Sequence, residues 1–182
     1  MFGINGLTVV PEFINQELHD ALLKEIDALG WGQSGTMKRR VQQFGFAYEH
    51  QAQRVGNRAA PIPAFMNCLL DKLVPADLFG RKPTQVIVNE YLPGQGIGPH
   101  IDHPSFGPTV ASLSLGSPAV MELTLDDDVL GIKLDPRSIV VLKHEARYKW
   151  RHEIPMRRID EINGKQFTRS RRVSLTFRTV SR

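Results

Sequence analysis

The sequence contains a single cysteine, Cys68, among its 182 residues, so no disulfide can form within the chain. Chains without disulfides are typical of reducing compartments, and we therefore expect a cytoplasmic protein. Long hydrophobic runs are also missing, because no apolar stretch approaches the roughly 20 residues that a membrane-spanning helix needs. Residues 1–6 lack the basic flank, the apolar stretch and the cleavage site of a secretory signal. These absences argue against secretion and against a membrane partner.

Internal repeats, low-complexity tracts and long linkers are absent from the sequence as well. Apolar residues make up 41% of the chain and charged residues 23%, which are ordinary values for a globular protein. A chain of 182 residues is long enough to bury a hydrophobic core. We therefore predict one domain over residues 1–182, with a helical lead-in over residues 1–84 and a core of strands over residues 85–182.

Positive charge is distributed unevenly along the chain, although the net charge is only +4. Residues 1–130 carry 9 Lys and Arg against 14 Asp and Glu, whereas residues 131–182 carry 14 against 5. The two parts therefore have net charges of −5 and +9. A basic segment favours a polyanionic partner such as nucleic acid, because contacts of Lys and Arg to phosphates supply most non-specific affinity. A solvated basic face would give the same counts, and both interpretations stay open.

Two segments in the first half of the chain have the apolar spacing of amphipathic helices. The first helix is predicted after the capping residue Asn15 and before Gly30, and the second over residues 64–78. The apolar residues at helical spacing are Leu18, Leu22, Ile26 and Leu29 in the first helix, and Phe65, Leu69 and Leu73 in the second.

From about residue 85 onward the pattern changes to short alternating or β-branched runs that are bounded by Gly, Pro and Asp, which predicts strands. The predicted strands cover residues 85–91, 109–115, 120–125, 131–134, 138–142, 148–154 and 172–180. Their regular spacing predicts an antiparallel sandwich or jelly roll, with residues 126–128 as a hairpin turn. We expect an α+β protein in which the N-terminal helices pack on one sheet.

The triplet His100-Ile101-Asp102 places two metal-binding side chains two positions apart. In an extended chain such residues point to the same side, so one strand could present an imidazole and a carboxylate to one ion. By itself the triplet could equally be a surface pair. A second histidine from a distant position would complete the set of two His and one carboxylate that is typical of non-haem Fe(II) oxygenases.

The segment of residues 148–154 offers such a histidine. Its even positions carry Tyr, Trp, His and Ile and its odd positions carry Lys, Arg and Glu, so His152 is predicted to point inward. Periodicity alone is equally consistent with a core histidine bonded to a backbone carbonyl. By contrast, His144 lies in a predicted turn and is interpreted as a surface residue. His103 should point away from the side that His100 and Asp102 share.

The last predicted strand alternates strictly between two kinds of side chain. Arg172, Ser174, Thr176 and Arg178 share one face, and Val173, Leu175 and Phe177 share the other. The polar face could be exposed to solvent. Alternatively it lies inside the sandwich, where two guanidinium groups need anions, and a bound dicarboxylate would supply them with paired hydrogen bonds. On another strand, Asn89 and Tyr91 share a face and could bond the same ligand, although a tyrosine packed in the core explains Tyr91 as well.

Taken in order, these motifs resemble the AlkB family of Fe(II)- and 2-oxoglutarate-dependent dioxygenases. The resemblance spans about half the chain and rests on Asn89-x-Tyr91-x-Pro93-Gly94, His100-x-Asp102, Trp150-x-His152 and Arg172-x5-Arg178. It implies a double-stranded β-helix that uses Fe(II), 2-oxoglutarate and dioxygen to demethylate or hydroxylate a modified base. By the same resemblance His100, Asp102 and His152 bind iron, and Asn89, Tyr91, Arg172 and Arg178 hold 2-oxoglutarate. Ser174 departs from the Asn that many relatives have, so we do not expect it to be a contact.

The runs of residues 39–46 and 113–118 are similar to the family branch that contains tRNA wobble-uridine hydroxylases. In that placement the segment from Lys38 to Tyr48 lies near the opening for the substrate. The cations there suit a phosphate backbone and the aromatic rings suit a stacked base. The predicted substrate residues are Arg39, Arg40, Phe44, Phe46 and Tyr48.

An ordinary hairpin with its aromatic residues in the core would fit the same segment. A hydroxylase of a protein or small molecule, or a jelly-roll binding module without turnover, are the alternative functions.

Overall fold

The structure is a computed structural model that describes residues 3–33, 39–49, 54–74 and 78–180. The α-helices are α1 Gln16–Ala28, α2 Asn67–Leu73 and α3 His144–Tyr148, and a 3-10 turn, Ala64–Met66, leads into α2. The strands are β1 Leu7–Val10, β2 Gly32–Gln33, β3 Arg40–Phe44, β4 Phe46–Glu49, β5 Arg54–Arg58, β6 Gln85–Tyr91, β7 Ile97–His100, β8 Phe106–Gly116, β9 Ala119–Leu125, β10 Asp128–Leu134, β11 Ile139–Leu142, β12 Arg151–Ile154, β13 Ile159–Ile162, β14 Lys165–Thr168 and β15 Arg172–Val180. Within these ranges no helix is long and apolar enough to cross a membrane.

Two antiparallel sheets form the body of the fold. The larger sheet has seven strands in the order β1-β11-β8-β15-β6-β3-β2, and the smaller sheet has four in the order β10-β9-β12-β7. Two separate hairpins, β4-β5 and β13-β14, lie outside these sheets. This is the antiparallel sandwich that the strand spacing predicts, and the turn at residues 126–128 joins β9 to β10 as expected.

Helix α1 begins where the sequence predicts, because the side chain of Asn15 accepts a hydrogen bond from the backbone amide of Leu18 at 3.0 Å. Its buried face, with Leu22 and Ile26, packs against the larger sheet. The second predicted helix is shorter than residues 64–78. It begins as a 3-10 turn and its α-helical part ends at Leu73, while residues 75–77 lie outside the described part of the chain. The helices thus cover one face of one sheet.

The strands of the larger sheet send alternate side chains to two different cores. On β11, Ile139 and Val141 belong to the cluster that includes α1 and α2, whereas Val140 and Leu142 belong to a second cluster with the smaller sheet. The first cluster therefore lies between helices and sheet, and the second lies inside the sandwich. The interior of the sandwich is the space that holds the candidate site.

The predicted strand over residues 148–154 is wrong in its first half. Residues 144–148 form helix α3, the strand begins at Arg151, and Tyr148 is 51% exposed instead of pointing inward. The alternation holds from Lys149 onward, where Lys149 and Arg151 are exposed, Trp150 packs against the core of the sandwich and Ile154 is buried. The short helix forms because residues 147 and 149 donate their amides to the carbonyls of residues 143 and 145.

The lead-in contributes strands as well as helices. β1 pairs with β11, and β3 pairs with β6, so both extend the larger sheet at its two sides. Strands β4 and β5 pair with each other next to them.

Candidate metal centre

Three potential metal ligands converge inside the sandwich. His100 ends β7 and is directly opposite His152 on β12, and Asp102 follows His100 by two residues. One ligand atom from each side chain lies within 4.8 Å of the others, and the two imidazole centroids are 4.4 Å apart. The inward direction predicted for His152 is confirmed. Two His and one carboxylate around one point can hold a non-haem Fe(II) and leave further positions open.

The hydrogen bond of His100 and the burial of His152 both suit metal binding. Nδ1 of His100 lies 2.8 Å from the carbonyl oxygen of Gly98, and because a carbonyl only accepts, Nδ1 carries the proton. Nε2 of His100 therefore presents its lone pair, as in metal sites where the other ring nitrogen is fixed by a backbone carbonyl. Burial, with a smaller contribution from His100, lowers the pKa of His152 to about 3. Its imidazole is neutral at physiological pH, which is the form that binds a metal.

Asp102 offers one oxygen to the protein and keeps the other free. Its Oδ1 lies 2.5 Å from Nη2 of Arg178, whereas Oδ2 is buried and accepts no hydrogen bond from the described residues. Burial alone would raise the pKa of Asp102, but the basic side chains around it, Arg178 first, together outweigh burial and lower the pKa to about 2. A buried ionised oxygen without a donor needs a cation, so the residues present fit an iron site.

The other two histidines in this part of the chain do not reach the centre. His144 begins α3 and is exposed, as predicted. His103 is half-buried, and its Nδ1 accepts a hydrogen bond from the amide of Ser105 at 3.2 Å. Neither belongs to the ligand cluster found among the described residues.

The inner face of β15 forms one wall of a pocket beside the metal ligands. The four polar residues of that face line it, namely Arg172, Ser174, Thr176 and Arg178. Asn89 and Tyr91 line it from the neighbouring strand β6, opposite Ser174 and Arg172 respectively. The pocket contains about 540 Å³ of space not filled by protein atoms, part of it open to solvent. The structure thus brings Asn89, Tyr91, Arg172 and Arg178 together with the metal ligands.

Arg172 is a buried cation without an internal anion. It is 3% exposed, its Nη2 donates to Oγ of Ser114 at 2.9 Å, and its guanidinium lies 5.3 Å from the centroid of the Tyr91 ring. Its Nε finds no acceptor, and no carboxylate lies within 4.0 Å of it among the described residues. Burial lowers the pKa of Arg172, because the charged guanidinium is removed from water. An unpaired buried charge is destabilising, so a ligand carboxylate is its natural partner.

Several pocket residues were not predicted from the sequence. Ser112 and Val110 of β8, Met121 of β9 and Val140 and Leu142 of β11 line the pocket, and Ser174 does so although it was set aside. A signal existed in β8, where small polar residues at positions 112 and 114 alternate with apolar ones, as they do in β15. That alternation predicts a second strand with one polar and one apolar buried face.

Two of the five predicted substrate residues are buried, and a third, Arg40, is exposed but lies on the side of the larger sheet that carries the helices. Phe44 is buried in the cluster between the helices and the larger sheet, so it does not stack on a base. Arg39 is 2% exposed and donates to the carbonyl oxygen of Gly96 at 3.0 Å. Arg40 is bound by both oxygens of Glu90, at 2.5 and 2.6 Å, on the helix-covered face of the sheet. Lys38 lies outside the described residues.

Tyr48 and Phe46, by contrast, are half-buried on β4. The ring of Tyr48 lies 5.5 Å from that of Phe106 and 6.3 Å from that of His103, centroid to centroid. Burial raises the pKa of Tyr48. To a smaller extent the charge of Arg178 lowers this pKa and the charge of Asp102 raises it. Tyr48 therefore packs beside the segment that follows the metal ligand Asp102.

The basic excess of residues 131–182 has a structural origin for the most part. Arg147, Arg169 and Arg172 are buried, and ion pairs hold Lys133, Arg137, Lys149, Arg157, Arg169, Arg171 and Arg178. Most of this positive charge is either buried or paired with a carboxylate, so the charge count does not by itself indicate a nucleic-acid surface.

Residues 6–178 match the family described as the 2OG-Fe(II) oxygenase superfamily. The match covers nearly the whole chain and includes every candidate ligand, so the protein belongs to this superfamily of enzymes, which use Fe(II) and 2-oxoglutarate. Within the superfamily it is an AlkB-like protein, as the relatives that it matches make clear.

An uncharacterised protein, L905, of Acanthamoeba polyphaga mimivirus is 34% identical over 186 residues, which cover 98% of this chain and 86% of that protein. The Alkylated DNA repair protein ALKBH8 homolog of Arabidopsis thaliana is 35% identical, with 98% of this chain and 59% of the relative covered. A Xenopus tropicalis relative named tRNA (carboxymethyluridine(34)-5-O)-methyltransferase alkbh8 is 32% identical, with 96% and 32% covered. The chain thus spans most of the viral relative but only part of the other two.

The solved structure of OsALKBH1 has the same fold, with a TM-score of 0.79 at 17% identity, and the match covers 98% of this chain and 99% of that one. The sandwich is therefore the double-stranded β-helix that the sequence motifs imply.

Proposed function

We propose that this chain oxidises a modified base in nucleic acid, either removing an alkyl group or hydroxylating a base such as a tRNA wobble uridine. In this proposal Fe(II) is held by His100, Asp102 and His152, and 2-oxoglutarate is held by Asn89, Tyr91, Arg172 and Arg178. Bound iron and 2-oxoglutarate supply the oxidation of a substrate C–H bond by dioxygen. The chain orients these groups and excludes water from them.

The two arginines of β15 divide the 2-oxoglutarate between them in this proposal. Arg172 lacks an internal carboxylate and lies away from the metal ligands, which supports its contact with the far carboxylate. Arg178 contacts the iron ligand Asp102, which supports a place at the end of the co-substrate nearest the metal. A guanidinium can donate two parallel hydrogen bonds to a carboxylate, so both ends would be fixed in orientation.

The observation that carries the substrate class is the position of Tyr48. Its ring packs beside His103, the residue after the metal ligand Asp102, on a strand outside the two main sheets, where a base can stack on it. Arg58, on the strand β5 that pairs with it, is exposed and can contact a phosphate. The names of the Arabidopsis and Xenopus relatives, which refer to alkylated DNA and to a tRNA uridine, support the same class. The methyl transfer in the second name is said of a protein of which this chain spans 32%.

The test is succinate release by the protein with Fe(II), 2-oxoglutarate and one of four probes. The probes are methylated single-stranded DNA, methylated single-stranded RNA, an anticodon stem-loop with a modified wobble uridine, and a proline-containing peptide. We expect one of the nucleic acids to stimulate turnover and to yield formaldehyde or a hydroxylated nucleoside by mass spectrometry. Stimulation by the peptide alone would overturn the proposal.

Variants of Tyr48 test the stacking itself. Stacking on an aromatic side chain contributes about 1–3 kcal/mol per base, so Tyr48→Ala should weaken binding of the active probe about 5- to 150-fold. Tyr48→Phe keeps the ring and should bind as the wild type does. Phe167→Ala removes a half-buried aromatic residue on β14 and is the matched control. Equal effects of Tyr48→Ala and Phe167→Ala would exclude Tyr48 from the substrate site.

A further inference from the structure

Arg147, on α3, is a buried charged residue that belongs neither to the metal ligands nor to the residues proposed to hold 2-oxoglutarate. It is 2% exposed, and no carboxylate lies within 4.0 Å of it among the residues that the structure describes. Its guanidinium instead donates to four backbone carbonyls. These are the carbonyls of Asp102 and His103, both at 2.9 Å, and those of Phe106 and Gly107, both at 3.4 Å.

All four carbonyls belong to one segment, residues 102–107, which comprises the turn after the iron ligand Asp102 and the first two residues of β8. The segment has an internal backbone hydrogen bond from the amide of Phe106 to the carbonyl of His103 at 3.0 Å. Buried carbonyls that lose a donor are destabilising, so the guanidinium stabilises this conformation of the segment. The direction of the Asp102 carboxylate in turn depends on the backbone that carries it.

Arg147 also precedes the third ligand, His152, by only five residues in the chain. One short segment therefore carries both a metal ligand and the contact that holds the turn after the other two. We propose that Arg147 is a positioning residue of the metal centre: it fixes the backbone of residues 102–107, so that Asp102 and His152 meet at one ion.

A role in stability alone is the competing explanation, and the chain offers a matched control for it. Arg169 is also buried, at 5% exposed, and is held by Asp160 and by the carbonyl of Pro155, but it is not in contact with the metal ligands. Loss of either arginine should lower the melting temperature. Only loss of Arg147 should change the metal site.

The experiment measures binding of Co(II), a spectroscopic substitute for Fe(II), to the folded proteins by titration and by its visible absorption. We expect Arg147→Gln to raise the Kd for Co(II) about 10- to 100-fold, as is typical when a residue that orients a metal ligand is lost. Arg147→Lys keeps the charge and part of the hydrogen bonding and should recover part of the affinity. Arg169→Gln should keep the wild-type Kd and absorption spectrum although it melts earlier.

A wild-type Kd and an unchanged Co(II) spectrum in Arg147→Gln would overturn the proposal. If that variant does not fold, Arg147→Lys decides, because a wild-type Co(II) spectrum and Kd in that variant would overturn it as well. Equal losses of Co(II) affinity in Arg147→Gln and Arg169→Gln would assign both arginines to stability alone.

Discussion

The two faces of β15 differ in how completely the protein satisfies them. On the outer face Val173, Leu175 and Phe177 are each 0% exposed and pack into the core beneath α1 and α2. On the inner face Arg172 and Arg178 are enclosed too, yet Nε of each guanidinium has no acceptor among the described residues. One strand thus has an apolar face that is fully packed, which stabilises the fold, and a polar face whose guanidinium groups lack acceptors. Buried charged groups without partners within the protein are better explained by a ligand than by stability.

The sharpest test of this difference removes the carboxylate that Arg178 contacts. Asp102→Ala deletes one of three metal ligands, and we expect loss of Fe(II) binding and of 2-oxoglutarate turnover, because two histidines alone hold iron weakly. The outer face of β15 is untouched, so the protein should stay folded by circular dichroism. Succinate production at the wild-type rate would refute the assignment.

The outer face of β15 should determine the stability of the protein, whereas the inner face should determine the binding of 2-oxoglutarate. Phe177→Ala leaves a cavity in the main core, and we expect the free energy of unfolding to fall by about 3–5 kcal/mol. Urea denaturation measures it. The 2-oxoglutarate affinity of the folded variant should match that of the wild type, and a large change there would show that the two faces are not separable.

A second buried arginine provides the internal contrast to Arg172. Arg169 has its anion within the chain, because Asp160 accepts its hydrogen bonds at 2.5 and 2.7 Å. Replacing Asp160 with Asn leaves that cation uncompensated and should cost about 3–5 kcal/mol of stability near neutral pH.

Burial would raise the pKa of Asp160, but hydrogen bonds from Arg169 and Arg157 outweigh it, so the pKa is lowered. The carboxylate therefore stabilises the protein above the pKa of an unfolded Asp, and this contribution is lost as pH falls through the folded value. The stability difference between wild type and Asp160→Asn should shrink below about pH 4, the ordinary range of an aspartate. A difference that stays constant with pH would contradict this account.

Arg172→Met should affect binding but not stability. Removing one charge-assisted pair from a buried site costs about 2–5 kcal/mol, which corresponds to a rise of about 30-fold or more in the Kd for 2-oxoglutarate by calorimetry. Iron binding should be kept. Because Met replaces an unpaired buried cation, the melting temperature without 2-oxoglutarate should not fall. An unchanged Kd would exclude Arg172 as the anchor.

The smallest expected effect concerns the surface beside the site. If Arg58 contacts a phosphate, Arg58→Ala should lower the slope of log K against log[salt] by about 0.7 for a single-stranded probe. Lys165→Ala, an exposed cation on the hairpin β13-β14, should leave the slope unchanged. The same decrease in both variants would mean that the charge acts non-specifically.

Period-two alternation shows which side chains of a strand share a face. The direction in which that face points depends on the strands with which it pairs. In β15 and β12 the strand itself shows which side chains share a face, whereas the roles of Arg172, Arg178 and His152 were implied by the resemblance to the AlkB family. On β3 the alternation of Arg40 and Phe44 is just as visible, yet the face that they occupy is set by pairing with Glu90 and Val86 of β6. That register depends on contacts distant in sequence, so the sequence did not show that both residues face the helices.

Helix α3 and Arg147 illustrate the second limit. The alternation of residues 148–154 predicted that the strand starts at Tyr148, but Tyr148 is the last residue of a helix. Local hydrogen bonds and the buried guanidinium of Arg147 determine the conformation of that segment. A buried arginine bound only by carbonyls leaves no partner to search for in the sequence, since every residue has a carbonyl. The ligand residues were therefore predictable, and the residue that positions them was not.

The position of β15 between β6 and β8 has a consequence for folding during synthesis on the ribosome. Synthesis delivers both neighbours long before residues 172–180, so the larger sheet stays split, with two unpaired edges, until this strand emerges. Pairings between distant segments form slowly, and exposed edges invite association with other nascent chains. A cell that makes this enzyme must therefore shield an open sheet until its central strand arrives, and the catalytic pocket and the core close in the same event.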